Sequence, residues 1–347
     1  MHCRFPVADL PLYTTSKQAP ALEFKKYGKL LVDVQNLLDT STPSFTSHRP
    51  CMSSSLSSIF PPEYKLELQS FADRPYLRIG GTHVPQGTDI SIPFEGKDSS
   101  FNILKLFTLN PECGCDGVVL ETPLQLFVIF RSATSTSTFM KIGMSGLIQS
   151  SKVLSCGATC NSFLGNYYEK HFSAALAAIV QAKREKKIVF LGYSMGAALG
   201  QIAMYDLTVT RSVRLRQTHL FLASPRIASS AFYKQLLDRG VRIRNMSAAT
   251  RLGNYIHLDP IPLLKGFCDP PEVFIIGQLF KEGVCWNEAT MPQAGTSLDV
   301  LATTSSFQNH LQCHPLAVFG SFMQTAFGQS CMDLHGSYRM LVYNGIL

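Results

Sequence analysis

The chain has 347 residues, of which 46% are hydrophobic and 16% charged, and its formal net charge is +7. This composition is typical of a globular protein that buries a sizeable core in one large domain or two smaller ones, and it excludes a disordered chain. The positive charges are spread along the sequence and do not alternate with aromatic residues, which argues against nucleic-acid binding.

The first 20 residues contain no apolar run of signal-peptide length. We therefore expect a protein that stays in the cytoplasm or associates with a membrane from outside, and we expect its ten cysteines to be thiols rather than a disulfide framework. The closest pairs are Cys113 with Cys115 and Cys156 with Cys160, and neither is followed by a second pair at the spacing of a zinc site. The sequence predicts no metal and no cofactor.

In chain order, the first predicted element is an amphipathic helix around residue 31. Its apolar positions recur at helical spacing: Phe24, Tyr27, Leu31, Val34 and Leu38. The opposite face is rich in lysine, so the helix could lie on a membrane, but we expect it to dock on the protein's own domain. Residues 40–63 are rich in Ser, Thr and Pro and predict a linker. The sequence thus divides into an N-terminal helix and linker over residues 1–70 and a main domain over residues 71–347.

From residue 117 onwards, short apolar runs alternate with helical segments. The runs "GVVLET", "QLFVIF", "IVFLGY", "THLFLASP" and "YIHL" predict strands. The segments "YYEKHFSAALAAIVQAKREKK", "AALGQIAMYDL" and "AFYKQLLDRG" predict helices. Strands that alternate with helices imply a mostly parallel central sheet with helices on both sides, which is an α/β fold.

The segment from Lys186 to Leu207 permits two interpretations. Residues 188–205 carry no formal charge, and Gly192, Gly196 and Gly200 recur every four residues. This pattern is typical of a transmembrane helix with a glycine packing face. The same letters contain Gly-Tyr-Ser-Met-Gly, which is typical of a strand, a sharp turn that exposes a serine, and a helix. The alternation of strands and helices favours the second interpretation, so we expect no transmembrane span.

A serine nucleophile needs a histidine as general base and an acid that orients the histidine. Ser194 directly follows the predicted strand "IVFLGY", Asp259 follows "YIHL", and His335 lies near the end of the chain. Three residues remain as alternatives for the acid or the base: Asp269, His310 and His314. The order serine, acid, histidine is that of the α/β-hydrolases. The sequence therefore predicts an α/β-hydrolase fold with Ser194, Asp259 and His335 as the catalytic residues.

Several segments, in order, resemble the class 3, or fungal-type, triacylglycerol lipases over about residues 117–347. They are "FVIFRSAT" at 127–134, "SFL" at 162–164, "GYSMGAA" at 192–198, "LASPRIAS" at 222–229, "DPIP" at 259–262 and "HGSY" at 335–338. The resemblance implies a lipase or esterase that uses the same three catalytic residues.

The resemblance also implies an oxyanion hole made of the backbone N–H groups of Ala133 and Met195. The position of Ala133 usually carries Ser or Thr in the family, and the preceding Gly is Ser132 here. Ala133 can donate only its N–H, so a slower enzyme is expected unless Thr134 supplies the hydroxyl. The His that usually precedes the nucleophile is Tyr193, a change that is expected to affect substrate fit more than chemistry.

Residues 135–150 follow the predicted strand that leads to Ala133. At this point the lipase family carries a helical lid. Phe139, Met140, Met144, Leu147 and Ile148 would share one face of a helix. That face could cover the site in water and turn toward lipid when the lid opens. The alternative is a helix whose apolar face stays in the core. The lid interpretation predicts a lipid ester substrate met at a lipid–water interface, with peripheral membrane contact.

Two functions follow from these observations. The first is a serine hydrolase that cleaves carboxylic esters of lipids, as a triacylglycerol lipase or a related acylglycerol or phospholipid esterase, through an acyl-serine intermediate. The second is a catalytically impaired lipase-like protein that binds lipid or a partner. The presence of serine, acid and histidine in the required order favours the enzyme.

Overall fold

A computed structural model describes residues 27–40, 76–79, 82–94, 97–107, 116–133, 150–252, 255–258, 267 and 273–277. Its strands are β1 (Tyr76–Ile79), β2 (Thr82–Pro85), β3 (Asp89–Phe94), β4 (Lys97–Phe107), β5 (Gly117–Glu121), β6 (Gln125–Phe130), β7 (Ser151–Val153), β8 (Thr159–Asn161), β9 (Lys187–Tyr193), β10 (Thr218–Leu222), β11 (Arg242–Leu252), β12 (Tyr255–Leu258) and β13 (Val273–Gly277). Its α-helices are α1 (Lys29–Thr40), α2 (Ser162–Tyr168), α3 (Ala174–Ala182), α4 (Met195–Tyr205) and α5 (Ser230–Asp238).

Nine of these strands form one mixed sheet in the order β12-β11-β10-β9-β6-β5-β4-β3, with β13 also paired to β11. Strands β6, β9, β10 and β11 run parallel to one another, and β13 runs parallel to β11. Strands β3, β4 and β5 extend the sheet beyond β6 in antiparallel fashion, and β12 pairs antiparallel with β11. The predicted α/β fold with flanking helices is confirmed, and its parallel strands lie together in the half of the sheet that contains β9.

The central strands are buried on both faces, which explains why they are continuous apolar runs rather than alternating ones. In β9, Val189 and Leu191 belong to a core cluster that includes α1, whereas Ile188 and Phe190 belong to a second cluster that includes α2 to α5. The two clusters are the two sides of the sheet.

The N-terminal helix α1 packs against β1, β3 and β9. The side chains of Leu31, Val34 and Leu38 are fully buried, and Tyr27 is 5% exposed. These are four of the five apolar positions of the predicted amphipathic helix, and the fifth, Phe24, lies outside the described residues. The docking of this helix on the protein's own domain is confirmed.

The helix predicted from "YYEKHFSAALAAIVQAKREKK" differs in detail from the observed one. The observed helix begins earlier, at Ser162, where the Asn161 side chain accepts a hydrogen bond from the Leu164 N–H and caps the helix. A π-helical turn over Glu169–Ser173 then joins α2 to α3. The basic residues after Ala182 lie outside the helix, and the last of them, Lys187, begins β9.

Helix α4 has 11 residues, all of them buried, and continues into a π-helical turn over Asp206–Thr210. Within the ranges that the structure describes, no helix combines the length and the apolar character needed to cross a membrane.

Candidate active site

Ser194 lies at the turn between β9 and α4, with φ of 54° and ψ of −123°. A positive φ is uncommon for a residue with a side chain and costs about 1–3 kcal/mol, so the surrounding structure must hold it. The Ser194 N–H donates to the carbonyl of Leu222 at 2.9 Å, and the Ser194 carbonyl accepts from the Ala197 N–H at 3.0 Å. The turn is thus fixed from β10 on one side and from α4 on the other.

Two of the three glycines around Ser194 lie where no side chain fits. A Cβ on Gly192 would lie 2.6 Å from the Cα of Ala197, and a Cβ on Gly196 would overlap the carbonyl oxygen of Phe130 and lie 2.8 Å from its carbon. Both obstacles are backbone atoms. The glycines at intervals of four therefore have a structural reason in this fold, which is the close approach of α4 to β9 and β6.

A second strained residue lies beside the turn. Ala223 follows β10, has φ of 51°, and donates its N–H to the carbonyl of Met246 at 2.7 Å. Left-handed backbone at the ends of two adjacent parallel strands is the kind of strain that gathers at functional sites. In an open α/β sheet, the carboxyl ends of the strands are also where ligands bind.

The two predicted oxyanion donors follow the ends of neighbouring strands. Phe130 of β6 is paired with Gly192 of β9, and Ala133 and Met195 each come three residues later in their own segments. Met195 is the first residue of α4 and is 7% exposed, whereas Ala133 is partly buried. Their use as N–H donors stays a prediction.

One buried polar residue at this edge was not singled out from the sequence. Gln35 of α1 is fully buried, its Nε2 donates to the carbonyl of Phe130 at 2.7 Å, and its Oε1 accepts from the Ser132 N–H at 3.3 Å. The available signal was a glutamine four residues after Leu31 and three before Leu38, on the apolar face of a helix.

A second buried amide, that of Gln201, anchors α4 on the opposite face of the sheet. Gln201 Nε2 donates to Ser224 Oγ at 2.7 Å and to Asn245 Oδ1 at 3.3 Å, and Gln201 Oε1 accepts from the Tyr233 hydroxyl at 3.1 Å. Ser224 belongs to the segment "LASPRIAS". The network ties the nucleophile helix to β11, to α5 and to the loop after β10, so it fixes the direction of α4.

Tyr193 is the last residue of β9 and is 7% exposed. It belongs to the core cluster on the α1 side of the sheet, together with Leu191 and Leu222. Its predicted influence on substrate fit stays a prediction.

The other predicted site residues lie outside the described residues: Asp259, His335, Phe139, Met140 and Met144, and the alternatives Asp269, His310 and His314. The strand predicted before Asp259 is β12. Its last residue, Leu258, pairs with Ala249, and Leu222 pairs with both Tyr193 and Met246. Because β12 is antiparallel, it runs back along β11 to within three residues of Met246, toward the edge at which Ser194 lies.

Two further titratable groups are buried on the α4 side of the sheet. Burial lowers the pKa of His219 to about 3, and its Nδ1 accepts a hydrogen bond from the Phe190 N–H at 3.0 Å. Burial also raises the pKa of the Cys160 thiol to about 12. In the described part of the chain, no group of three or more His, Cys, Asp or Glu residues could hold a metal ion.

Comparisons with known structures give several fungal lipases. Lipase II from Rhizopus niveus is 16% identical, with 86% of this chain and 93% of that chain covered and a TM-score of 0.45. The lipase from Rhizopus microsporus var. chinensis is 16% identical, with 77% and 82% covered and a TM-score of 0.42. The Rhizomucor miehei triacylglyceride lipase is 16% identical, with 51% and 66% covered and a TM-score of 0.40.

This chain spans 57% of the length of the fungal lipase in a lipase–inhibitor complex, and 56% of the Rhizomucor miehei lipase in its propeptide complex. No curated protein matches the sequence. Residues 127–263 match the family model for lipase (class 3). The resemblance to the class 3 lipases that the sequence predicts is thus confirmed, and the matched residues include the turn at Ser194.

Proposed function

We propose that this protein is a serine hydrolase that cleaves carboxylic esters of lipids, with Ser194 as nucleophile, His335 as general base and Asp259 as the acid. The observation that carries the proposal is the backbone of Ser194. A serine with φ of 54° between a buried parallel strand and a buried helix is the strained turn that presents a nucleophile at the edge of an α/β-hydrolase sheet. The match of residues 127–263 to the class 3 lipases supports the same chemistry.

The proposed reaction has two halves. In the first, His335 accepts the hydroxyl proton of Ser194 while Ser194 Oγ attacks the ester carbonyl carbon; the tetrahedral intermediate then expels the alcohol, which takes that proton from His335. In the second, His335 removes a proton from water, the hydroxide attacks the acyl-serine, and Ser194 leaves with the proton. Asp259 orients the imidazole and stabilises its positive charge.

The negative charge on the carbonyl oxygen needs donors that are in place before the reaction. The N–H groups of Ala133 and Met195 are proposed for this role, and the pairing of Phe130 with Gly192 supports it because it brings the two segments side by side. Ala133→Ser would restore the side-chain hydroxyl that class 3 lipases usually carry at this position, and it should keep or raise the rate of ester hydrolysis.

Labelling with a fluorophosphonate tests the nucleophile, because the probe reacts only with an activated serine. Wild type should be labelled and should hydrolyse a medium-chain glycerol ester, and Ser194→Ala should lose both, with residual turnover lower by at least about 10⁴-fold. His335→Ala should lose turnover to a similar extent, and His314→Ala serves as its matched control. An unlabelled wild type without turnover would instead support the lipase-like binding protein, and loss of activity in His314→Ala alone would reassign the base.

The proposed substrate is a lipid ester met at an interface, and it rests on the apolar positions Phe139, Met140 and Met144 in the segment where class 3 lipases carry a lid. The test is the hydrolysis rate measured against the concentration of a medium-chain glycerol ester. A lid predicts a rise in rate once the ester aggregates. Ordinary saturation below that concentration, with no gain on emulsions, would replace the lipase by a hydrolase of soluble esters.

A further inference from the structure

We propose that Gln35 of the N-terminal helix is a positioning residue for the oxyanion hole. It holds the backbone of residues 130–132 so that the next N–H group, that of Ala133, keeps its place opposite the nucleophile turn. The inference rests on the proposed function for its catalytic meaning, and it adds a region that the family match over residues 127–263 does not include.

The carboxamide of Gln35 uses both of its ends on one short stretch of backbone. Nε2 donates to the Phe130 carbonyl at 2.7 Å, and Oε1 accepts from the Ser132 N–H at 3.3 Å. The side chain is fully buried, so water cannot replace either bond. The two bonds hold the peptide groups on either side of Arg131, so together they restrain the position and the orientation of both groups.

This restraint lies just beyond the point where the pairing between β6 and β9 ends. Phe130 is the last residue of β6, and its pairing with Gly192 is the last register pair between β6 and β9. Beyond it, the Ser132 N–H finds its acceptor in the side chain of Gln35 rather than in a neighbouring strand. Gln35 therefore adds a hydrogen bond at Ser132, one residue beyond the Arg131 N–H and directly before Ala133.

The opposite side of the same segment is closed by α4. Gly196 approaches the Phe130 carbonyl so closely that a Cβ would overlap its oxygen and would also lie 3.0 Å from the Arg131 carbonyl oxygen. The Arg131 N–H donates to the Asp116 carbonyl at 2.8 Å. The segment is held by α1 on one side, by α4 on the other and by the residue before β5, and the hydrogen bonds of Gln35 are contributed by α1.

The catalytic consequence follows from how sharply an oxyanion donor depends on position. A displacement of about 1 Å in a catalytic group can lower the rate about 100-fold, and loss of one oxyanion donor costs about 100- to 1,000-fold. The donors act on the charge that develops in the transition state. Loss of their alignment should therefore lower kcat and leave KM almost unchanged.

The experiment compares Gln35→Met with Leu31→Ala in the full chain. Met has nearly the shape of Gln and makes neither hydrogen bond, so kcat on a medium-chain glycerol ester should fall about 100-fold, with KM within about threefold of wild type. Leu31 lies one turn earlier on the same buried face, and Leu31→Ala loosens α1 without removing a bond to residues 130–132. At a temperature at which both variants are folded, Leu31→Ala should keep kcat within about threefold of wild type.

Amide hydrogen exchange gives a second readout that needs no turnover. The Ser132 N–H should exchange at least about tenfold faster in Gln35→Met than in Leu31→Ala, because only the first loses its acceptor. An unchanged kcat in Gln35→Met, an equal fall in Leu31→Ala, or equal Ser132 exchange in the two variants would each overturn the inference. If wild type shows neither turnover nor fluorophosphonate labelling, the proposed function fails instead, and the exchange data still decide whether Gln35 holds this segment.

Discussion

Among the residues that the structure describes, the two faces of the central sheet are covered by helical layers of very different size. One face carries α1, whereas the other carries α2 to α5. Both faces nevertheless contribute to the edge at which Ser194 lies: α4 supplies Met195 and the backbone contact of Gly196, and α1 supplies Gln35. The smaller layer is thus as close to the proposed chemistry as the larger one.

The faces also differ in how their contacts could adapt to a change. On the α4 side, Gly192 and Gly196 bring backbone against backbone, and no side chain can move aside to make room. On the α1 side, many of the contacts are made by aliphatic side chains such as Leu30, Leu31 and Val34, and their neighbours can shift. We therefore expect small changes at these two glycines to have larger effects than changes of similar size on the α1 face.

The largest effect is expected for Gly196→Ala. Its Cβ would overlap the Phe130 carbonyl oxygen, so either α4 or the end of β6 must move. We expect a loss of about 3 kcal/mol or more in the free energy of unfolding, together with loss of ester hydrolysis. Chemical denaturation and the activity assay measure the two effects.

Gly200→Ala is the matched control on the same helix. Its Cβ would lie 2.7 Å from Cε1 of Phe221, which is a side-chain ring rather than backbone. The ring can shift, and Ala is favoured over Gly in a helix by about 1 kcal/mol, so the net change should stay within about 1 kcal/mol. Equal stability losses for the two variants would remove the distinction between contacts that can and cannot adapt.

The next effect concerns pH and compares one buried polar residue on each face. His219 on the α4 side is titratable, whereas Gln35 on the α1 side is not. The pKa of His219 is lowered from 6.5 to about 3 in the folded protein because burial disfavours the charged ring. Below pH 6.5 the unfolded chain therefore binds a proton at His219 that the folded chain does not bind. The free energy of unfolding has its full value above pH 6.5 and decreases as the pH falls toward 3.

The expected loss from His219 is about 1.4 kcal/mol per pH unit in that window, or about 2 kcal/mol between pH 7 and pH 5. His219→Asn keeps an acceptor for the Phe190 N–H but cannot titrate. The free energy of unfolding, measured by denaturation at several pH values, should therefore depend less on pH in the variant by this amount. Identical pH dependence in the two proteins would show that His219 is not the group that titrates.

A smaller effect is expected for Val34→Ala on the α1 face. Val34 is fully buried, and loss of two methyl groups costs about 1.6 kcal/mol of transfer free energy plus a cavity that its neighbours partly fill. The exposed Asn36→Ala on the same helix should change stability by less than about 0.5 kcal/mol. Thermal denaturation measures both. A Val34→Ala loss as large as that of Gly196→Ala would contradict the difference between the faces.

The smallest effect is chemical and leaves the fold unchanged. Cys156 is exposed and Cys160 is buried, and burial raises the pKa of the Cys160 thiol to about 12. Because the thiolate is the reactive form, iodoacetamide should modify Cys156 in the native protein and Cys160 only after unfolding. Peptide mapping by mass spectrometry distinguishes the two sites. Equal native modification would show that the segment around Cys160 opens readily.

Much of the fold could be predicted because its central strands are buried on both faces and are therefore apolar without interruption. The runs that became β5, β6, β9 and β10 are all of this kind, and each was predicted. Strand β11, "RIRNMSAATRL", was not, because arginines and other polar residues interrupt its apolar positions. Its identity as a strand depends on pairing with β10, β12 and β13, which no local pattern in the sequence shows.

The candidate site divides in the same way. Gly192, Ser194 and Gly196 could be found because the turn requires these residue types within five consecutive positions. Gln35 could not be assigned a role, because that role depends on how α1 is placed against β6, and this follows from packing of the whole core. A glutamine on an apolar helix face signals that it has a buried partner but does not say which one.

The bonds of Gln35 join positions 95 and 97 residues apart in the chain, which has a consequence for folding. Contacts between distant positions form only after the entropy of closing a long loop has been overcome, so they arise late. During synthesis, α1 leaves the ribosome long before β6 and β9 exist to receive it. Until then its leucines are exposed to solvent, which favours aggregation and the capture of unfinished chains by chaperones. We therefore expect the edge that holds the nucleophile to be among the last parts of the molecule to assemble.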